Sequence, residues 1–163
     1  MPKQAGKAIR DVFAILDPTR MVQPALDKAE WVAERNGAKL HLYCCVDDSD
    51  LASSPDARDA ALERTKEWVE RLAAPARAKG LKGTVRVERS ADWREAMAAA
   101  AAASACVLVV KTSTAHLQVR RRLLETAAWV LLERCAVPIL LVKPTRPGHT
   151  KIRIAPIQLN TVD

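Results

Sequence analysis

The sequence predicts an α/β fold: a five-stranded doubly wound parallel sheet with helices on both faces. Short, wholly apolar runs recur along the chain, stretches of helical period separate them, and strand and helix alternate five times. Apolar runs without alternation suit strands covered on both sides, as crossover helices cover a parallel sheet. Strand twist makes those crossovers right-handed.

The first strand is Val12 to Leu16, a continuous apolar run. Ala25, Leu26, Ala29, Val32 and Ala33 then share one helical stripe opposite Asp27, Lys28, Glu34 and Arg35, and Asn36 with Gly37 is a stop signal. Lys39 to Val46 reads as the second strand, whose partial alternation puts Lys39, His41 and Tyr43 on one face. Ser54 before Pro55 is a cap with proline at the first helical position, and Pro75 is expected to kink or end that helix. "GTVRVE" is a short third strand. Asp92 with Glu95 forms a capping box for an alanine-rich helix running to about Ser104. Cys106 to Val110 is the fourth strand, Leu124 to Cys135 the last helix, and Ile139 to Val142, after Pro138, the fifth strand.

With 163 residues the chain is expected to form one domain that buries about 70% of its unfolded surface. The four cysteines lack C-x-x-C spacing and three sit in apolar runs, so they read as small buried hydrophobes rather than metal ligands or disulfides. No apolar run is long enough to span a membrane. The opening residues carry no secretory signal pattern, which makes a reducing cytoplasm the expected compartment. The net charge of +7 draws much of its excess from Arg120, Arg121, Arg122, Lys143, Arg146, Lys151 and Arg153. Lys and Arg are nevertheless spread through every helix, and one Phe and one Tyr offer few stacking platforms, so nucleic acid is not the expected partner. The four tryptophans fall on four different helices and read as packing residues.

Ligands of open parallel sheets bind beyond the carboxyl ends of the strands, where strand order reverses. Asp17 after the first strand and "KTST" after the fourth are therefore the positions to interrogate. Asp17 also precedes Pro18 and suits a turn. In "KTSTAHLQVRRR", Lys111, Thr112, Thr114, His116 and one arginine would make an anion site out of side chains. Three consecutive arginines point about 100° apart on a helix and cannot all face one ligand, so a solvated loop and helix face is the simpler expectation. No Ser, Cys or Asp nucleophile has a base partner at a motif spacing, and no residue cluster suggests a metal.

"AILDPTRMVQPALDKAEWVAERNGAKLHLYCCV", "CVLVVKTSTAH" and "LLETAAWVLLERCAVPILLVKP" together resemble the universal stress protein family, in particular its tandem, two-domain E type. The resemblance covers nearly the whole chain. It implies the five-stranded doubly wound fold of the universal stress protein and adenine nucleotide alpha hydrolase-like class, stress-survival roles, dimerisation through the last strand and, in one branch, ATP binding. That branch carries glycine, two residues, glycine, nine residues, then glycine followed by Ser or Thr. Laid on it, this chain has Lys111 and Thr114 at the first two glycines, then ten residues before Glu125 and Thr126. Only Thr126 conforms. The glycines leave room for backbone amides to reach phosphate, and each replacement restores a side chain. Glu125, near the start of the closing helix, would occupy the helix's anion-binding end with the chain's own carboxylate.

The expectation is therefore a non-enzymatic, cytoplasmic stress-response domain with no bound cofactor and no metal, forming a homodimer or a tandem pair and not holding ATP in the family manner. The alternative is a small-molecule or nucleotide sensor whose cleft is lined by Asp17, Lys111, Thr112, Thr114 and Thr126. Residues 1–148 form the domain and 149–163 an extension. Shifting "IRDVFAILD" by 143 residues lays Ile9 on Ile152 and Asp17 on Asn160, so this extension is either the first strand of a second repeat or an edge strand with Pro156 in it.

Overall fold

The computed structural model describes residues 8–49, 53–113 and 127–143. Five strands form one sheet in the order β3-β2-β1-β4-β5. They are β1 (Asp11–Leu16), β2 (Lys39–Asp47), β3 (Val85–Ser90), β4 (Leu108–Thr112) and β5 (Ile139–Val142), and every pairing is parallel. Helices α1 (Pro24–Asn36), α2 (Pro55–Ala78), α3 (Trp93–Ala103) and α4 (Ala127–Arg134) make the crossovers.

Central β1 shows why the run has no polar alternation. Val12, Ala14 and Leu16 enter one core with α1 and α2, while Phe13 and Ile15 enter a second with α3 and α4. Leu40, Leu42 and Cys44 of β2 follow the first set and Tyr43 and Cys45 the second, so His41 and Tyr43 share a face as expected. Strand order reverses between β1 and β4, which opens a crevice at their carboxyl ends.

Gly37 ends α1 in the left-handed conformation at φ 61°, its N–H reaching Ala33 O. The Ser54 side chain caps α2 by accepting from Ala57 N at 3.2 Å. Pro75 does not end α2, which continues to Ala78. The proline removes a single rung close to the helix end, while buried Leu72, Ala73 and Ala76 hold that turn against the sheet. The Asp92 side chain accepts from Glu95 N, but the reciprocal half of the capping box is replaced. Asp92 N donates to Ser90 Oγ, and Glu95 pairs with Arg134 of α4.

β4 begins and ends two residues later than the apolar run suggests, so Lys111 and Thr112 are strand residues, both buried, rather than parts of a solvated loop. Lys111 lies in register between Ile15 and Leu141, and Thr112 pairs with Val142. The tryptophans divide: Trp68 is fully packed, Trp31 and Trp129 are exposed, and Trp93 borders the crevice. Packing therefore accounts for Trp68 and, in part, for Trp93, which lies against the second core.

Candidate functional site

The crevice is built outward from the end of β1. Asp17 folds the chain into a turn: its carboxylate accepts from Thr19 N at 2.9 Å and Thr19 Oγ1 at 2.6 Å and pairs with Arg20 Nε at 3.2 Å. Arg20 N closes the turn on Asp17 O. Gln23, 1% exposed, holds this loop from inside. Its Oε1 accepts from Asp17 N at 3.1 Å, and its Nε2 donates to Asp17 O at 2.6 Å and Arg20 O at 2.8 Å.

Gln23 is also the residue before α1, and turned inward its side chain makes no cap hydrogen bond there. Thr112 supplies one from across the sheet, its Oγ1 accepting from Ala25 N at 3.2 Å. The hydroxyl expected to meet a ligand thus fastens α1 to β4. Lys111 is 6% exposed, and its Nζ donates to Thr112 O at 3.2 Å. Burial lowers the affinity of this amine for its proton, Asp17 opposes the shift and Arg20 adds to it.

The described residues bound a cleft of about 670 Å³. Ile15, Tyr43, Cys45 and Met97 line it, along with the 17–20 loop, Asp47, Trp93, Arg94, Lys111 and Thr112. Asp17, Lys111 and Thr112 are therefore brought together. Thr114, Glu125 and Thr126 lie outside the described residues. Sequence reasoning missed Arg20, Tyr43, Trp93 and Met97 as site residues. The alternation that placed Tyr43 on one face was the signal available for it. Tyr43 stacks on Phe13 at 5.6 Å and donates to Glu88 Oε1 at 2.5 Å.

This arrangement is suited to binding. Burial pushes the Cys45 thiol up to about 11, so it is protonated at neutral pH and a poor nucleophile. Among the described residues no group of His, Cys, Asp and Glu has the arrangement of a metal site. His41 of β2 bridges β1 and the segment entering β3 at the opposite end of the sheet. Its Nε2 lies 2.8 Å from Asp11 Oδ1 and its Nδ1 2.9 Å from Thr84 Oγ1.

The thiols give a pH prediction. Cys44, Cys45, Cys106 and Cys135 are all free and all raised by burial, and Tyr43 is raised for the same reason. A raised acid keeps its proton in the folded state while the unfolded chain has already lost it. The stability is therefore whole below the unfolded thiol value and falls as pH rises through the folded values. For Cys45, the window from 9.0 to about 11 corresponds to a loss of about 3 kcal/mol at about 1.4 kcal/mol per unit. Lys111, lowered, acts in the opposite sense over the alkaline range but is one group against five. Urea midpoints are expected to fall steadily from pH 8.5 to 11, and a flat profile would refute the assignment.

The fold and crevice define a doubly wound α/β domain with its ligand cleft at the point where strand order reverses. The universal stress protein family model matches residues 9–143, and the chain belongs to that family, whose members are stress-response proteins. A universal stress protein family member from Burkholderia pseudomallei is 23% identical with a TM-score of 0.64, aligning 84% of this chain and 98% of its own. A universal stress protein in complex with cAMP is 18% identical with a TM-score of 0.57, aligning 85% and 100%. A functionally unknown protein from Pseudomonas aeruginosa PAO1 is 23% identical with a TM-score of 0.61. The alignment takes in 86% of this chain but 45% of that one, so this chain spans under half that neighbour's length. No curated protein matches the chain. No helix among the described residues is long and apolar enough to cross a membrane.

Proposed function

We propose that the chain is a non-enzymatic, cytoplasmic universal stress protein domain that does not hold ATP through a glycine loop. The observation that supports this reading is the exit of β4. A glycine loop there would offer bare amides to phosphate, whereas this chain begins with two buried side chains bonded into the fold, Lys111 to Thr112 O and Thr112 to Ala25 N. The stretch from 111 to 126 contains no glycine, and Glu125 adds a negative charge to it. Assembly as a homodimer or a tandem pair belongs to the same reading. On this reading residues 149–163 are either the first strand of a second repeat or an edge strand.

Calorimetric titration tests the reading. ATP and ADP are expected to give no binding stronger than about 1 mM, equivalent to about −4 kcal/mol. A micromolar isotherm for ATP would overturn it.

The cleft favours a second reading, a small-molecule or nucleotide sensor. Its volume of about 670 Å³ suits a compact ligand, and a family neighbour is in complex with cAMP. On this reading cAMP or another small ligand binds where ATP does not, with Asp17 and Thr112 at the mouth. The same titration run with cAMP, AMP and adenosine distinguishes the sensor from a domain with no ligand.

A further inference from the structure

We propose that Lys111 is the anion-reading group of the cleft, and that the cleft takes a compact, largely apolar molecule carrying one negative charge, such as a carboxylate, sulfonate or phosphodiester. The proposal rests on the sensor reading and names the ligand class that reading leaves open.

Lys111 is a buried amine that no carboxylate among the described residues meets in a direct ion pair, Asp17 acting on it only at longer range. Its ammonium has three donors, and one hydrogen bond is accounted for, to Thr112 O at 3.2 Å. No carboxylate among the described residues forms an ion pair with it. Asp17 borders the same cleft, but its oxygens are taken by Thr19 and Arg20. A charge held out of water without a partner is costly, and an anionic ligand would remove that cost.

The number of charges follows from the lining. Among the described lining residues, Arg20, Arg94 and Lys111 face two carboxylates, Asp17 and Asp47, an excess of one positive charge. Arg20 is already paired with Asp17, and the Arg94 guanidinium lies over the Trp93 ring at 4.9 Å. Arg94 is exposed, so Lys111 is the buried cation of the three, and no ion pair among the described residues holds it. Ile15, Val46, Met97 and Trp93 form the apolar part of the wall, so the rest of the ligand is apolar. A triphosphate brings several negative charges to a site with an excess of one, which agrees with the expected failure of ATP.

A matched pair of dyes tests this. 8-Anilinonaphthalene-1-sulfonate is a monoanion with an apolar body, and N-phenyl-1-naphthylamine is its neutral counterpart. The wild-type protein is expected to bind the sulfonate at least about tenfold more tightly than the neutral dye, by fluorescence titration. Lys111→Met keeps the apolar stem and removes the charge, and should bring the ratio to within about twofold. Lys111→Gln is the second variant, and circular dichroism checks the fold of both. Lys66→Met, on the exposed face of α2, controls for the general positive charge and should leave the ratio unchanged. With its unpaired buried charge removed, ligand-free Lys111→Met should melt a few degrees higher than wild type. A preference for the anion that survives in both Lys111 variants overturns the proposal. Equal binding of the two dyes to wild type overturns it too, while leaving the cleft as a ligand site. If neither dye binds, this proposal falls, while the sensor reading is decided by the cAMP, AMP and adenosine titrations.

Discussion

Replacing Gly83 with alanine is expected to abolish or nearly abolish folding of the domain. A Cβ at this position would lie 1.7 Å from the carbonyl oxygen and 2.5 Å from the carbonyl carbon of Leu40, both backbone atoms of the adjacent strand. Movement is blocked on either side. Leu40 N donates to Lys82 O and Leu42 N to Thr84 O, each at 2.8 Å, so Gly83 sits between two rungs of the ladder joining β2 to the segment entering β3. Relief of the clash requires breaking both rungs, at about 1–3 kcal/mol for each buried group left unsatisfied, on top of the packing strain. The sum, on the order of 4 kcal/mol or more, is a large part of the 5–15 kcal/mol that typically separates folded from unfolded domains. Urea denaturation of Gly83→Ala should show a midpoint far below wild type, or the protein should be recovered insoluble. A loss under about 1 kcal/mol would mean that the β2–β3 approach is looser than this geometry. The effect reaches the cleft because β2, whose pairing is disturbed, carries Tyr43 and Cys45 in its wall.

The fold was legible wherever burial on two faces erased polar alternation. β1 and β5 end within a residue of their apolar runs, and Ser54, Asp92 and Gly37 act as the caps their residue types suggest. β4 shows where that signal stops. A hydropathy reading ends the strand at Val110 because a lysine follows, yet Lys111 has Ile15 on one side and Leu141 on the other, and the ladder carries it inside. Its aliphatic stem fills the place an apolar residue would take, which local sequence does not reveal. Pro75 does not end α2, one of the two outcomes expected of it, for a related reason: propensity governs a lone helix, whereas contacts with the sheet hold the last turn of α2.

In the site, Asp17 could be found from topology and turn chemistry together. Thr112 lines the cleft, but its bond to Ala25 spans 87 positions and gives it a structural task that no local pattern carries. Gln23 was missed because its partners are main-chain groups of a loop that exists only once the turn at Asp17 has formed. The absence of glycine from 111 to 126 was plain in sequence, and it carries the proposed loss of ATP binding.

Truncation of Trp68 to alanine is expected to cost about 3–5 kcal/mol, whereas Trp68→Phe should cost about 1 kcal/mol or less. Trp68 is among the largest fully buried side chains, 2% exposed, in the core that α1 and α2 make with the sheet. Alanine leaves a cavity that the helix and the strand backbone cannot close. Phenylalanine keeps much of the ring volume and also removes a liability: Trp68 Nε1 is buried with no hydrogen-bond partner among the described residues, a condition that costs about 1–3 kcal/mol. That gain offsets most of the lost volume. Urea titration of the two variants should therefore separate them by at least about 2 kcal/mol, and near-equal losses would show that Trp68 does not anchor α2. The difference extends to ligand binding, because side chains of β2 alternate between the two faces. Leu42 and Cys44 belong to the core that contains Trp68, while Tyr43 and Cys45 line the cleft on the other side. A helix loosened on one face lets those alternating positions shift, so Trp68→Ala should weaken dye binding in the surviving folded fraction and Trp68→Phe should leave it intact.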